Sequence, residues 1–146
     1  MGRSVKRSPV VFCHEYGALR YCRARLSAIG RRVYRRESVD TNRQATVILC
    51  DDATIRSLNA RYRTLDRATD VLSFCYDDPD LLGEIYISLP RCKEQCTRFG
   101  TTYSEEVERV FVHGMMHLLG FDHGTASQRR RMQAKEREYR EVRSAE

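Results

Sequence analysis

A chain of 146 residues, 41% hydrophobic and 32% charged, has the balance of a globular domain and the length to bury roughly two-thirds of its unfolded surface. It holds no run of the roughly 20 apolar residues that a membrane span needs, and the short apolar stretch at 10–13 is no signal peptide, so a cytoplasmic protein without a membrane partner is expected. The formal charge of +6 is uneven: seven arginines and no acid lie between Arg20 and Arg36, and Arg129-Arg130-Arg131 opens a basic C-terminal segment.

Such clusters either strengthen contacts with a polyanion or form a solvated face. The six cysteines stand at 13, 22, 50, 75, 92 and 96. Several sit in apolar runs, as at Cys50 and Cys75, where a reduced thiol acts as a small hydrophobe. Cys92 and Cys96 are spaced to share a helix face, without the further cysteines a metal would need.

Residues 9–13 read as a first strand, followed by a basic helix over 16–29 that Gly30 ends. The β-branched content of 45–50 predicts a buried strand. Asp51 or Asp52 caps the next helix, which sets Ile55, Leu58 and Tyr62 along one side. Strands are expected at 69–76 and 83–88, separated by a turn at 77–80. Pro90 and Gly100 bound a further helix. Ser104 is the expected N-cap of the next one, with Glu105 and Glu106 favouring its dipole. That helix turns Val107, Val110, Phe111 and Leu118 to the core and stops at Gly120. A last helix over 127–143 packs through Met132, Ala134 and Tyr139. No repeat or linker divides the chain, so residues 1–146 are expected to form one α+β domain, with a mixed sheet of about four strands packed with helices.

The segment His113-Gly-Met-Met-His117-Leu-Leu-Gly120-Phe-Asp-His123 holds three of the four histidines. Positions 113 and 117 are i and i+4 on a zincin-like helix, so both imidazoles leave the same face and reach one ion. Gly120 lets the chain turn back and bring His123 to a third position. Three imidazoles leave one tetrahedral Zn2+ with an open place, as catalysis requires. Asp122 is either an acceptor for an imidazole N–H or an exposed turn residue. The spacing is also that of metzincin proteases, in which a glutamate after the first histidine is the general base. Here that position is Gly114, which argues against a peptidase.

The same segment resembles the signature of the YbeY family of bacterial rRNA-maturation endoribonucleases. A second block supports the likeness, running from Leu58-Asn59 through Tyr62-Arg63 and Asp66 to Thr69-Asp70-Val71-Leu72-Ser73-Phe74, followed by Leu82-Gly83-Glu84-Ile85. The resemblance spans 46–139, and the N-terminal third agrees in outline. It implies zinc on His113, His117 and His123 and single-strand-specific cleavage of RNA in 16S rRNA 3′-end maturation and late ribosome quality control. Implied partners are ribosomal RNA, the small ribosomal subunit and ribosome-assembly proteins. The family's functional arginine falls on Arg63, so Arg63 and His113 are the expected catalytic residues.

General chemistry agrees with those roles. Zinc lowers the pKa of bound water to about 7 or polarises a phosphoryl oxygen. An arginine sets a permanently charged, planar fork against developing phosphate charge. Ala68 and Cys75 depart from the family, which commonly has proline at both places, and imply a less rigid loop. Cys75 is expected to be an apolar filler, with the metal cleft as its alternative place. The competing functions are a zinc peptidase and a non-catalytic ribosome-assembly factor whose metal pins the C-terminal helix.

Overall fold

The computed structural model describes residues 8–63 and 69–140, the side chain of Arg63 excepted. Strands β1 (Val10–His14), β2 (Gln44–Cys50), β3 (Val71–Cys75) and β4 (Leu81–Ser88) form one mixed sheet in the order β1-β2-β4-β3. β1 and β4 run parallel to β2, and β3 runs antiparallel to β4. The expected α+β class with a small mixed sheet is what the chain adopts.

The period of two along β2 divides the molecule into two cores. Ala45, Val47 and Leu49 face the larger one, while Ile48 and Cys50 face the other side with Leu72 and with Ile55 of α2 (Asp52–Arg63). Burial on both faces is why this strand reads as a continuous apolar run. Helices α1 (Arg23–Arg36), α3 (Leu89–Phe99), α4 (Tyr103–Leu118) and α5 (Ala126–Arg140) close the larger core. The central one is α4, whose Val107, Val110, Phe111, Met115 and Leu118 recur at helical spacing and are all buried.

Several expectations are corrected. α1 begins at Arg23, and the predicted helical start at 16–21 instead contributes Tyr16, Leu19 and Tyr21 packed against the core. Gly30 does not end α1. A Cβ there would lie 2.7 Å from Val10 Cγ2, so the glycine lets the helix close on β1. The N-cap of α4 is Thr102, not Ser104, and its hydroxyl accepts the Glu105 N–H at 3.1 Å. Between the two aspartates, Asp51 caps α2 by accepting the Thr54 N–H at 2.9 Å. Tyr62 is exposed and meets Phe74 edge-on, its ring centroid 5.8 Å away. On α5, Met132 and Tyr139 are buried as expected, but Ala134 faces solvent and Glu136 takes the inward place.

All six cysteines are free. Cys50, Cys92 and Cys96 are buried, and burial pushes the Cys50 thiol up to about 12. Cys75 is exposed rather than an apolar filler. No helix among the described residues is long and apolar enough to cross a membrane.

A polar clamp fixes α5 against the end of α1. Glu37 accepts Lys135 Nζ and the Tyr139 hydroxyl, each at 2.7 Å. Burial alone raises the Glu37 pKa, but the two hydrogen bonds and the charges of Lys135 and Arg131 outweigh it and hold the carboxyl below its ordinary 4.5. With the folded value depressed, the clamp is whole above 4.5 and is lost as pH falls through the folded value. Glu37→Gln should therefore cost about 1 kcal/mol at neutral pH, the modest worth of partly exposed charged hydrogen bonds. Thermal melts of the two proteins should converge as the buffer is taken below pH 4.5; a gap independent of pH would assign the loss to packing.

Candidate metal centre

The last two turns of α4 carry His113 and His117, and their side chains meet over one spot. Their Nε2 atoms lie 3.2 Å apart. Two nitrogens each about 2.0–2.1 Å from a shared tetrahedral ion would be separated by roughly 3.3 Å, so the pair is spaced for one cation.

The turn that delivers the third ring is built by backbone chemistry. Gly120 adopts φ +92°, the left-handed region open to glycine, and its N–H donates to His117 O at 3.1 Å. The Phe121 N–H donates to Met116 O at 3.0 Å, which completes a Schellman motif. Beyond His123 the chain is clamped again, because Thr125 Oγ1 accepts the Gln128 N–H at 3.1 Å and Gln128 Oε1 accepts the Thr125 N–H at 2.9 Å. This reciprocal pair is a capping box that starts α5. Held at both ends, the short loop sets the His123 ring 5.5 Å from that of His113 and 5.0 Å from that of His117, between centroids. One nitrogen from each of the three histidines falls within 4.8 Å of the others.

The carboxylate that completes this arrangement comes from α5. Glu136 is 8% exposed, and its Oε1 lies 2.6 Å from His113 Nδ1. A carboxylate only accepts, so the proton sits on Nδ1 and the Nε2 lone pair is left facing His117. Asp122, the carboxylate that the sequence suggested for this task, instead accepts the backbone N–H of His123 at 2.7 Å. Its oxygen is 3.7 Å from His123 Nδ1, too far for a hydrogen bond. Asp122 therefore shapes the loop.

The histidines line a cleft of about 620 Å³ between β3 and the loop after α4. Asn59 reaches it from α2 and Asp70 stands at the start of β3, paired with Arg109 across 3.3 Å. Cys75 lines the cleft as well, its Sγ 3.4 Å from His117 O. Ser73 Oγ donates to Gly114 O at 3.3 Å and fastens α4 to β3 beneath the histidines. The donor set fits a borderline cation: three nitrogen ligands, one of them oriented by a carboxylate, and an open side toward the cleft.

Of the expected site residues, His113, His117 and His123 are brought together. Arg63 closes α2, and its side chain lies outside the described residues, as does Ala68. Glu136 was not anticipated. Its signal was present, since Met132, Glu136 and Tyr139 stand at i, i+4 and i+7, an acid inside the one apolar stripe of a basic helix.

A family model described as Endoribonuclease YbeY matches residues 19–142. Endoribonuclease YbeY of Desulforamulus reducens is 42% identical over 110 residues, 68% of this chain and 72% of the relative. That of Geobacillus kaustophilus is 38% identical over 113 residues, again 68% and 72%. Among solved structures, the solution structure of TM1509 from Thermotoga maritima matches with a TM-score of 0.62 at 27% identity, covering 93% of each chain.

Proposed function

This chain belongs to the endoribonuclease YbeY family, and we propose that it is a zinc-dependent endoribonuclease that cuts single-stranded RNA in the cytoplasm. Its task on this reading is 16S rRNA 3′-end maturation and late ribosome quality control, with ribosomal RNA, the small subunit and ribosome-assembly proteins as partners. The observation that carries the proposal is the three-histidine cluster facing an open cleft, with Glu136 behind it.

When bound, zinc would supply a Lewis acid whose positive charge the neutral imidazoles leave undiminished, suited to an anionic phosphodiester. The protein's own residues do the rest. Glu136 holds the His113 tautomer, and the clamped loop keeps His123 in place without a large search on binding. Arg63, the position that the family motif assigns to catalysis, brings a charge that never titrates and a bidentate donor fork for a phosphate oxygen. The basic balance of the chain raises the local concentration of a polyanion. A peptidase of this spacing would need a base at position 114, where a Cβ would already lie 2.6 Å from Ile85 Cγ2.

Chelation tests the proposal. Protein stripped with EDTA should stop cutting an end-labelled single-stranded RNA, and zinc added back in equimolar amount should restore cleavage while casein stays intact. Undiminished cleavage by metal-free protein refutes the metal role. Casein hydrolysis without RNA cleavage replaces the reading with a peptidase, and a zinc-loaded protein with no turnover on RNA replaces it with a non-catalytic assembly factor.

A further inference from the structure

A second, smaller pocket of about 230 Å³ adjoins the histidine cleft, and Gly120, Phe121 and Asp122 line both. Its far wall is Gln128 and Arg131, on the first turns of α5. Phe121 is the partition between them. The Arg131 guanidinium carbon lies over its ring at 5.3 Å from the centroid, and Lys135 Nζ lies over the same ring at 5.8 Å.

The two cations are not equivalent. Lys135 is engaged with Glu37 at 2.7 Å, so its charge is matched within the fold. Arg131 is exposed and, among the described residues, makes no ion pair, acting on Glu37 through its charge alone and without a contact. A cation–π contact of this kind holds the guanidinium at the pocket wall, and none of its N–H donors is taken by another described group, so they remain for an oxyanion. The nearby carboxylate of Asp122 is turned to the His123 N–H, and Gln128 spends its carbonyl oxygen on Thr125, which leaves its amide donors.

We propose that this pocket is a substrate subsite, in which Arg131 holds the phosphate of a nucleotide flanking the scissile bond of a single-stranded RNA. The inference rests on the ribonuclease reading and deepens it. Gly120, Phe121 and Asp122 are shared with the histidine cleft, so a strand that crosses the cleft and leaves over this rim meets Arg131. One member of the Arg129-Arg130-Arg131 run is thereby assigned a contact.

The test compares Arg131→Gln with Arg35→Gln, which removes an exposed arginine of α1 outside both pockets. Binding of a labelled single-stranded RNA to metal-stripped protein is followed by fluorescence anisotropy across a salt series, and cleavage by zinc-loaded protein gives KM and kcat. Arg131→Gln should weaken binding and raise KM about 5- to 10-fold with kcat within about twofold, and flatten the slope of log K against log salt by about 0.7, the value for one single-strand phosphate contact. Arg131→Lys should recover the salt slope while leaving KM raised, since an ammonium replaces the charge and not the planar donor fork. Equal effects of Arg131→Gln and Arg35→Gln would overturn the subsite and leave the ribonuclease reading standing. An unaltered protein that neither binds nor cuts RNA would overturn that reading itself, and the subsite with it.

Discussion

A Glu136→Ala protein should hold zinc about 10- to 100-fold more weakly than the unaltered chain, the usual loss when the carboxylate behind a metal-binding histidine is removed. In the unaltered chain Glu136 lies 2.6 Å from His113 Nδ1. With that acceptor gone, the His113 proton is free to move to Nε2, and the ring is free to turn. Part of the intrinsic affinity is then spent on restoring the tautomer and orientation before metal binds. Glu136→Gln should lose less, because the amide oxygen still accepts from Nδ1–H. His117→Ala should lose more than either, since one of three donors is deleted and the remaining pair cannot enclose an ion. Competition with a chromophoric chelator measures all three. The ordering Gln, Ala, then His117→Ala separates orientation from coordination, and thermal melts of the metal-free proteins separate both from unfolding. Equal affinities for Glu136→Ala and the unaltered chain would show that Glu136 is a packing residue.

The histidine cluster was legible because it is local. An i,i+4 pair, a glycine and a third histidine lie within 11 residues, and every force that assembles them, from the helical repeat to the Schellman turn, acts over that span. Glu136 belongs to another helix, and its partner is 23 residues away. In a segment as basic as α5, an acid reads as a surface ion-pair partner until the docking of α5 on Glu37 shows which side faces inward.

The start of α1 was hidden for a different reason. Its N-cap, Cys22, makes no side-chain capping bond, and its first turn holds no acid, so neither usual sign of a helix start is written there. Gly30 carried a sign that was ambiguous. A glycine is used both to end a helix and to let a helix approach another backbone, and only the position of Val10 on β1 decides between them. The cap of α4, by contrast, was readable: Thr102-Tyr-Ser-Glu105 fits the S/T-x-x-E pattern, and Ser104 followed by Val107 does not.

Gly114 joins the fold to the chemistry, and substituting it should have the second large effect. Alanine in a helix interior is worth about 1 kcal/mol over glycine, so Gly114→Ala would stabilise a helix that had room. Here the added Cβ would sit 2.6 Å from Ile85 Cγ2 and 3.3 Å from Ser73 Oγ. Ile85 is fully buried, and its Cγ2 is fixed at the branch rather than at a flexible end, so the methyl has nowhere to move. Overpacking costs about 1–3 kcal/mol, and the rigid branch of a fully buried Ile85 puts this site in the upper part of that range, about 2–3 kcal/mol, above the propensity gain. The net expectation is a loss of about 1–2 kcal/mol and a melting temperature lower by roughly 3–10 °C. Ile85→Ala removes the obstructing methyl, so although it opens a cavity alone, it should cost less in the Gly114→Ala background. The cycle should show a coupling of about 1 kcal/mol, and strictly additive losses would place the strain elsewhere. Glutamate at 114, the residue a metzincin uses, must force the same gap wider, so that α4 lifts from β4 and carries His113 and His117 away from His123. Gly114→Glu should therefore bind less metal and hydrolyse no casein. A variant that melts like the unaltered chain and cuts peptides would mean that the missing base, and not the packing of α4 on β4, is what separates this site from a protease.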